Sequence, residues 1–283
     1  MATFQNRATL SYNGGSTDSN TVTGTLLETL SVAKNASVDT YSGGSEITYV
    51  LSLVNTGTTP FTGLTLNDDL GGYDFGGTTV YPLDYIAGSL LYYVNGVLQP
   101  TPTVTAGPPL AVTGISVPAG GNAVVVYSVR TNAAADPEVG GTIVNTATVT
   151  GGGLSEPLTA SETVNAEEGT LLSICKNLFP SSIPENGTIT YTFVVSNNGN
   201  TDAVATDNLT VSDVFDPVLD ITSVTLNGVL LEEGTGYTYN EATGEFSTVP
   251  GVITVPAATY TQQPDGSYVI VPGEATLVVV GNI

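Results

Sequence analysis

The sequence predicts an all-β protein made of two tandem sandwich domains. Short runs of alternating Val, Thr, Tyr and Ile, such as SEITYVLSLVNTG and GTITYTFVVSNNG, are bounded by Gly, Asn and Pro. Asn-Gly pairs in YYVNGVL and VTLNGVL are typical of two-residue hairpin turns. The long periodic runs of Ala, Leu, Glu and Lys that helices need are missing. The length of 283 residues suits two domains of ordinary size.

The charge of the chain excludes two classes of partner. A formal net charge of −22 repels nucleic acid and anionic lipid, so we expect neither as a partner. The chain has no apolar run of membrane-spanning length, and its first residues lack the pattern of an ordinary signal peptide. A single cysteine, Cys175, excludes an intrachain disulfide framework.

The composition also argues against an enzyme. The chain contains no histidine, which removes the usual general base and the commonest metal ligand. No phosphate-binding loop, dinucleotide fingerprint or nucleophile elbow is present. The acidic segment DNLTVSDVFDPVLD could hold calcium, but it lacks EF-hand spacing and reads more readily as a solvated face. We therefore expect no enzymatic activity, no metal and no cofactor.

An internal repeat defines the domains. LSVAKNASVDTYSGGSEITYVLSLVNTGTT matches LSICKNLFPSSIPENGTITYTFVVSNNGNT, and VPAGGNAVVVYSV matches VPGEATLVVVGNI. The first copy continues into GTIVNTATVTGGG, whereas the second reaches Ile283, which aligns with Val129. The second domain is therefore predicted to lack its last strand. The predicted organisation is an arm at 1–25, domain one at 26–150, a linker at 151–171 and domain two at 172–283.

The opening segment resembles the missing strand. Four of its residues align with four residues of the last strand of domain one: Phe4, Asn6, Ala8 and Leu10 with Ile143, Asn145, Ala147 and Val149. An incomplete sandwich leaves unpaired backbone groups that an added strand can satisfy. We therefore expect Phe4, Ala8 and Leu10 to enter the second domain of another copy, which makes a head-to-tail filament. The alternative is an arm that closes its own second domain in a monomeric surface adhesin or binding module.

Strand alternation places polar residues on faces that are otherwise apolar. Lys34 lies on the face of Leu30 and Val32, and Asp68 lies on that of Leu64 and Leu66. Asn145 follows the same rule in the last strand of domain one. The equivalent residues of the second repeat are Lys176 and Asp213, and the opening segment offers Asn6. The two lysines of the chain thus occupy equivalent positions.

Each trio is suited to forming an isopeptide bond. A buried, unpaired charge is costly, so such groups must be paired or chemically transformed. Burial lowers the pKa of lysine and raises that of aspartate, which favours attack of a neutral amine on the asparagine side chain. We expect one bond within domain one and one between copies through Asn6. The alternative is a buried ion pair that is hydrogen-bonded to the asparagine amide.

The segments ITY, VVSNNG, VSD and VNTATV resemble the bacterial surface repeat known as domain of unknown function eleven. They are also similar to the isopeptide-forming domains of Gram-positive fimbriae. The resemblance covers most of the chain and implies Ig-like sandwiches, a cell-surface location and Lys–Asn bonds assisted by an acidic residue. Assembly in a sporulating mother cell with release by lysis would give a spore appendage. An anchor or tip protein of unknown identity is a further expected partner.

Overall fold

The computed structural model describes residues 3–25, 27 and 29–283. It is built of β-strands, with one short 3₁₀-helix at Ala205–Asp207 and no α-helix among the described residues. The all-β prediction is thus confirmed. None of the helical structure within those same residues is long and apolar enough to cross a membrane.

The chain divides into two compact units. Unit one comprises the described residues up to Asp136 together with Gly141–Asn165 and Pro264–Gly266. Unit two comprises Pro137–Gly140, Ala166–Gln263 and Ser267–Ile283.

The first strands form a hairpin arm, defined here as residues 3–25. Its strands are β1 (Thr3–Asn6), β2 (Thr9–Tyr12), β3 (Gly15–Asp18) and β4 (Val22–Thr25). β2 pairs with β3 near the turn, and β1 pairs with β4 at the open end, both antiparallel. Nearly every residue of the arm is exposed.

The rest of unit one forms two larger sheets. Its strands are β5 (Leu30–Ala36), β6 (Thr40–Tyr41), β7 (Glu46–Asn55), β8 (Phe61–Asp68), β9 (Tyr73–Phe75), β10 (Thr78–Val80), β11 (Leu83–Tyr85), β12 (Leu91–Val94), β13 (Val97–Gln99), β14 (Thr103–Thr105), β15 (Leu110–Val117), β16 (Asn122–Thr131), β17 (Thr142–Gly151) and β18 (Leu158–Ala166). Among the described residues, one sheet has the order β13-β12-β16-β7-β5 with β11 also on β16, and the other has the order β14-β15-β8-β17-β18-β6. β17 therefore lies between β8 and β18.

Unit two repeats this plan with fewer strands. Its strands are β19 (Leu172–Phe179), β20 (Thr188–Asn197), β21 (Ser212–Val214), β22 (Asp220–Leu226), β23 (Val229–Leu230), β24 (Tyr237–Asn240), β25 (Glu245–Thr248), β26 (Thr259–Gln262), β27 (Tyr268–Val271) and β28 (Gly273–Asn282). In the described chain, one sheet has the order β19-β20-β28-β22-β23 and another has the order β21-β25-β24. A hairpin of β26 and β27 stands apart from both sheets.

Local sequence explains these elements. Alternate residues of β7 and β16 are buried, because successive side chains of a strand point to opposite faces. At both Asn-Gly turns, the two central residues have positive φ: 48° and 79° at Asn95 and Gly96, and 50° and 79° at Asn227 and Gly228. This is the backbone that a two-residue turn between right-twisted strands requires.

The structure differs from the sequence prediction in the linker and in the alignment of the repeats. The predicted linker 151–171 contains β18, which pairs along its length with β17 and so belongs to the sheet of unit one. The repeat also aligns differently near Ile283, because its amide N–H bonds the carbonyl of Gly187 just as the N–H of Thr131 bonds Ser45. Ile283 thus corresponds to Thr131 rather than Val129. An ungapped alignment of the two valine-rich runs could not detect this two-residue shift.

Candidate functional site

Lys34 and Asp68 form a fully buried ion pair in unit one. The Lys34 Nζ lies 2.6 Å from Oδ2 of Asp68, and both side chains are 0% exposed. β5 and β8 bring the two residues together from opposite sheets, because each lies on the inward face of its strand. Burial lowers the pKa of Lys34 below its ordinary value, although the neighbouring Asp68 charge opposes the shift.

Two tyrosines that the sequence analysis missed complete this site. The hydroxyl of Tyr127 donates a hydrogen bond to the same Oδ2 atom of Asp68 that Lys34 contacts. The ring of Tyr49 lies 4.6 Å from the Lys34 ammonium. Burial raises the pKa of both Tyr49 and Tyr127, so both hydroxyls stay protonated. Tyr49 had a sequence signal, since ITY occurs in both repeats, but Tyr127 had none.

Asn145 is buried beside this group without a hydrogen-bond partner. Its side chain is 0% exposed. Ala147 pairs directly with Asp68 across the ladder, and Asn145 lies two residues before it on the same face of β17. Its amide lies close enough to Tyr49 and Tyr127 to act on the pKa of both hydroxyls. Among the described residues, however, neither its Oδ1 nor its Nδ2 has a partner of hydrogen-bond geometry.

An unpaired buried amide is unusual. Most buried polar side-chain atoms in proteins have a hydrogen-bond partner, and leaving one without costs about 1–3 kcal/mol. The sequence prediction that Lys34, Asp68 and Asn145 converge in one core is consistent with this placement. The structure adds that both oxygens of the Asp68 carboxylate accept hydrogen bonds, Oδ2 from Lys34 and Tyr127 and Oδ1 from the N–H of Leu70. The Asn145 amide, by contrast, makes no hydrogen bond among the described residues.

Unit two contains the corresponding lysine and aspartate in a more open setting. The Lys176 Nζ contacts Oδ2 of Asp213, as in unit one. The exposed fractions of the two side chains are 41% and 18%, compared with 0% for Lys34 and Asp68. The ladders are in the same register, because Lys176 pairs with Phe193 in β20 as Lys34 pairs with Leu51 in β7.

The face around Lys176 is uncovered. Leu172 occupies the place of Leu30, and its exposed fraction is 39% compared with 4%. Ile174 and Leu178 on the same face of β19 are 57% and 50% exposed. In unit one, β8 pairs with both β15 and β17. Among the described strands, β21 pairs with β25 alone, so the edge that corresponds to the β17 side carries no strand.

The predicted donor residues are exposed in the arm. Phe4 is 54% and Leu10 is 64% exposed, and Asn6 and Ala8 are also at the surface. Asn6 pairs with Val22, as Asn145 pairs with Glu162 in the hairpin of β17 and β18. The arm is therefore a two-stranded hairpin, whereas the sequence analysis expected a single donor strand.

In the arm, the ring of Phe4 packs over Gly24, its partner in the opposite strand. Phe4 pairs with Gly24, as Ile143 pairs with Val164 in unit one. A Cβ atom on Gly24 would lie 2.3 Å from the Phe4 ring, so the ring occupies the space of a second-strand side chain. The arm thus pairs a large residue, Phe4, with a small one, Gly24, where unit one pairs Ile143 with Val164.

The described residues contain no group of three or more His, Cys, Asp or Glu side chains that could hold a metal ion. The fold and these residues define an all-β protein with one closed site, Lys34–Asp68–Asn145, and one open half-site, Lys176–Asp213. The half-site lacks an asparagine at the position that Asn145 takes, within the part of the chain that the structure describes.

No protein-family model matches the sequence, and no curated protein does either. Solved structures give weak similarities. BcpA, the major pilin subunit of Bacillus cereus, is 12% identical over 96% of this chain and 73% of its own, with a TM-score of 0.36. The pilus backbone RrgB of Streptococcus pneumoniae is 11% identical over 86% of this chain and 49% of its own, with a TM-score of 0.33.

A family 123 glycoside hydrolase from Clostridium perfringens has a similar score. It is 12% identical over 49% of this chain, with a TM-score of 0.32, and the match spans only 27% of the hydrolase. Pilins and an enzyme are thus similar to the chain at the same low level. The function must be argued from the chain's own residues.

Proposed function

We propose that this protein is a structural subunit that assembles head-to-tail into an extracellular filament on a cell or spore surface. The arm of one copy completes unit two of the next, and Lys–Asn isopeptide bonds form within and between copies. The observation that carries this proposal is the contrast between two equivalent faces. Leu30 is 4% exposed and the Lys34 side chain 0%, whereas Leu172 is 39% exposed and the Lys176 side chain 41%.

The uncovered face of β19 with Leu172, Ile174, Lys176 and Leu178 is called the open cleft below, and its occupant is the arm of a second copy. The arm has the ladder pattern of β17 and β18, the hairpin that covers the equivalent face in unit one. Its apolar residues Phe4 and Leu10 are exposed, which leaves apolar area for burial on docking. The free edge of β21 supplies backbone groups for strand addition.

Docking in the register of unit one determines where each donor residue lies. Ala8 takes the place of Ala147 and faces Asp213, as Ala147 faces Asp68. Asn6 then lies relative to Lys176 and Asp213 as Asn145 lies relative to Lys34 and Asp68. A heterologous contact of this kind repeats without closing, which makes a linear fibre.

The chemistry is the same at both sites. The neutral Nζ of the lysine attacks Cγ of the asparagine, and the new C–N bond replaces the bond between Cγ and Nδ2. The proton that the amine loses passes through the aspartate carboxyl to the departing nitrogen, which leaves as ammonia. No oxidant, metal or cofactor is consumed. In unit one, the lowered pKa of Lys34 favours the neutral amine, and the unpaired amide of Asn145 is free to react.

Negative-stain electron microscopy of the full chain and of Phe4→Glu tests the proposal. The glutamate places a charge on the face that docks, so we expect fibres from the wild type and discrete particles from the variant. Gln5→Glu is the matched control, because Gln5 points to the opposite face of β1 and corresponds to Val144, which is 50% exposed. The control should form fibres.

Two further results bear on the mechanism. A synthetic hairpin of residues 3–25 should bind Phe4→Glu with one-to-one stoichiometry and should stop growth when it is added to the wild type. Fibres from Phe4→Glu would refute the donor role. A wild type that stays monomeric, with its own arm bound to its own unit two, would support the adhesin alternative.

A further inference from the structure

The lysines of the two sites lie in different surroundings. Among the described residues, Lys34 makes a cation–π contact with one ring, that of Tyr49 at 4.6 Å from Nζ. Lys176 has three: Tyr191 at 4.6 Å, Phe193 at 5.5 Å and Phe215 at 5.5 Å. We call these three residues the aromatic cage.

Two members of the cage replace leucines of unit one. Phe193 is opposite Lys176 where Leu51 is opposite Lys34. Phe215 follows Asp213 by two positions, as Leu70 follows Asp68, and both residues are 2% exposed. The ring of Phe215 also packs on Tyr191 with centroids 4.9 Å apart, which fixes the cage wall.

Because the cleft is open, burial does not restrict the Lys176 side chain, and aromatic contacts take over this role. The Lys34 side chain is fully buried, but the Lys176 side chain is 41% exposed. A partly exposed ion pair stabilises little, and a free lysine side chain has many rotamers. Aromatic faces within about 6 Å attract an ammonium group and restrict it.

We propose that Phe193 and Phe215 are positioning residues that hold Lys176 against Asp213 while the cleft is open. The arriving hairpin then meets a preassembled half-site and has only to supply Asn6. This inference rests on the proposed function, and it names the residues that prepare the site for its partner.

The first test needs no donor. The chain contains two lysines, so lysine labelled with carbon-13 gives two sets of signals, with Lys34 as the internal reference. In full-length Phe4→Glu, the Lys176 methylenes should show upfield ring-current shifts and restricted motion. Phe193→Leu and Phe215→Leu, which install the residues of unit one, should move these signals toward those of a free lysine. Lys176 signals that are unshifted and mobile in Phe4→Glu, with both phenylalanines of the cage in place, would overturn the inference.

The second test separates positioning from docking. Intact-mass measurements follow the covalent addition of the 3–25 hairpin, at saturating concentration, to full-length Phe4→Glu. A hairpin with Asn6→Ala, which cannot react, measures binding alone. The double leucine variant should react about tenfold more slowly, because its Lys176 side chain regains rotamer freedom and is less often held beside Asp213, while half-saturation changes much less. Phe193→Tyr should retain the wild-type rate, because the ring is kept.

The outcomes distinguish the two proposals. Equal reaction rates for the double leucine variant and its parent would overturn the positioning role, even if the adduct forms. A hairpin that binds but never reacts would refute the covalent step of the proposed function. In that case the ring-current shifts still decide whether the aromatic cage positions Lys176.

Discussion

Replacing Asn145 with alanine gives opposite results with and without an isopeptide bond. Without a bond, the substitution removes a buried amide whose two polar atoms have no partner among the described residues. Such an amide is a cost of about 1–3 kcal/mol to the native state, so its removal should leave stability unchanged or raise it, after allowance for a small cavity.

With a bond, the same change removes a covalent link between Lys34 and Asn145. The link closes a loop of about 110 residues, which by the chain-entropy model for cross-links stabilises the native state by about 5 kcal/mol. For a unit of this size, the corresponding fall in Tm is about 10–20 °C. The intact mass should also differ, because the wild type lacks about 17 Da for each ammonia lost.

Guanidinium unfolding and differential scanning calorimetry measure the stability, and peptide mapping locates the Lys34–Asn145 link. Thr148→Ala, on the opposite face of β17, is the matched control and should change stability little. Asn145→Ala introduced into a Lys34→Met background should also be nearly neutral, because no bond can form there. A wild type of unmodified mass whose Asn145→Ala variant is as stable or more stable refutes the isopeptide reasoning for unit one.

Two further predictions concern the intersubunit bond and pH. Asn6→Ala should still give fibres, since the apolar contacts of the arm remain. Boiling in detergent should dissolve these fibres to monomers on a gel. A ladder of high-mass bands from Asn6→Ala would mean that another residue forms the link. In Asn145→Ala, burial holds the pKa of the free Lys34 amine below its ordinary 10.5, so between the two values the unfolded chain binds the extra proton. Its free energy of unfolding should therefore rise with pH in that window, by at most about 1.4 kcal/mol per unit. The wild type, with Lys34 in amide linkage, should lack this rise. Guanidinium titrations from about pH 8 to 10 measure the free energy of unfolding of both proteins, and equal slopes against pH contradict the prediction.

The strand-rich architecture and the inward direction of particular side chains could be predicted from the sequence alone. Both follow from local patterns: Asn-Gly turns require positive φ, and alternation assigns Leu30, Lys34 and Asp68 to buried faces. The repeat was also sufficient to identify Lys176 and Asp213 as a second pair and to relate the opening segment to β17.

The neighbours of those residues, by contrast, depend on the tertiary structure. Tyr127 reaches Asp68 through the register of β16 on β7, and unit two has Val279 at that position opposite Tyr191. Phe215, which follows β21, contacts Lys176, and β18 belongs to unit one rather than to a linker. A period of two assigns a face to each residue, but neighbours across strands and sheets depend on non-local pairing, which a single strand does not encode.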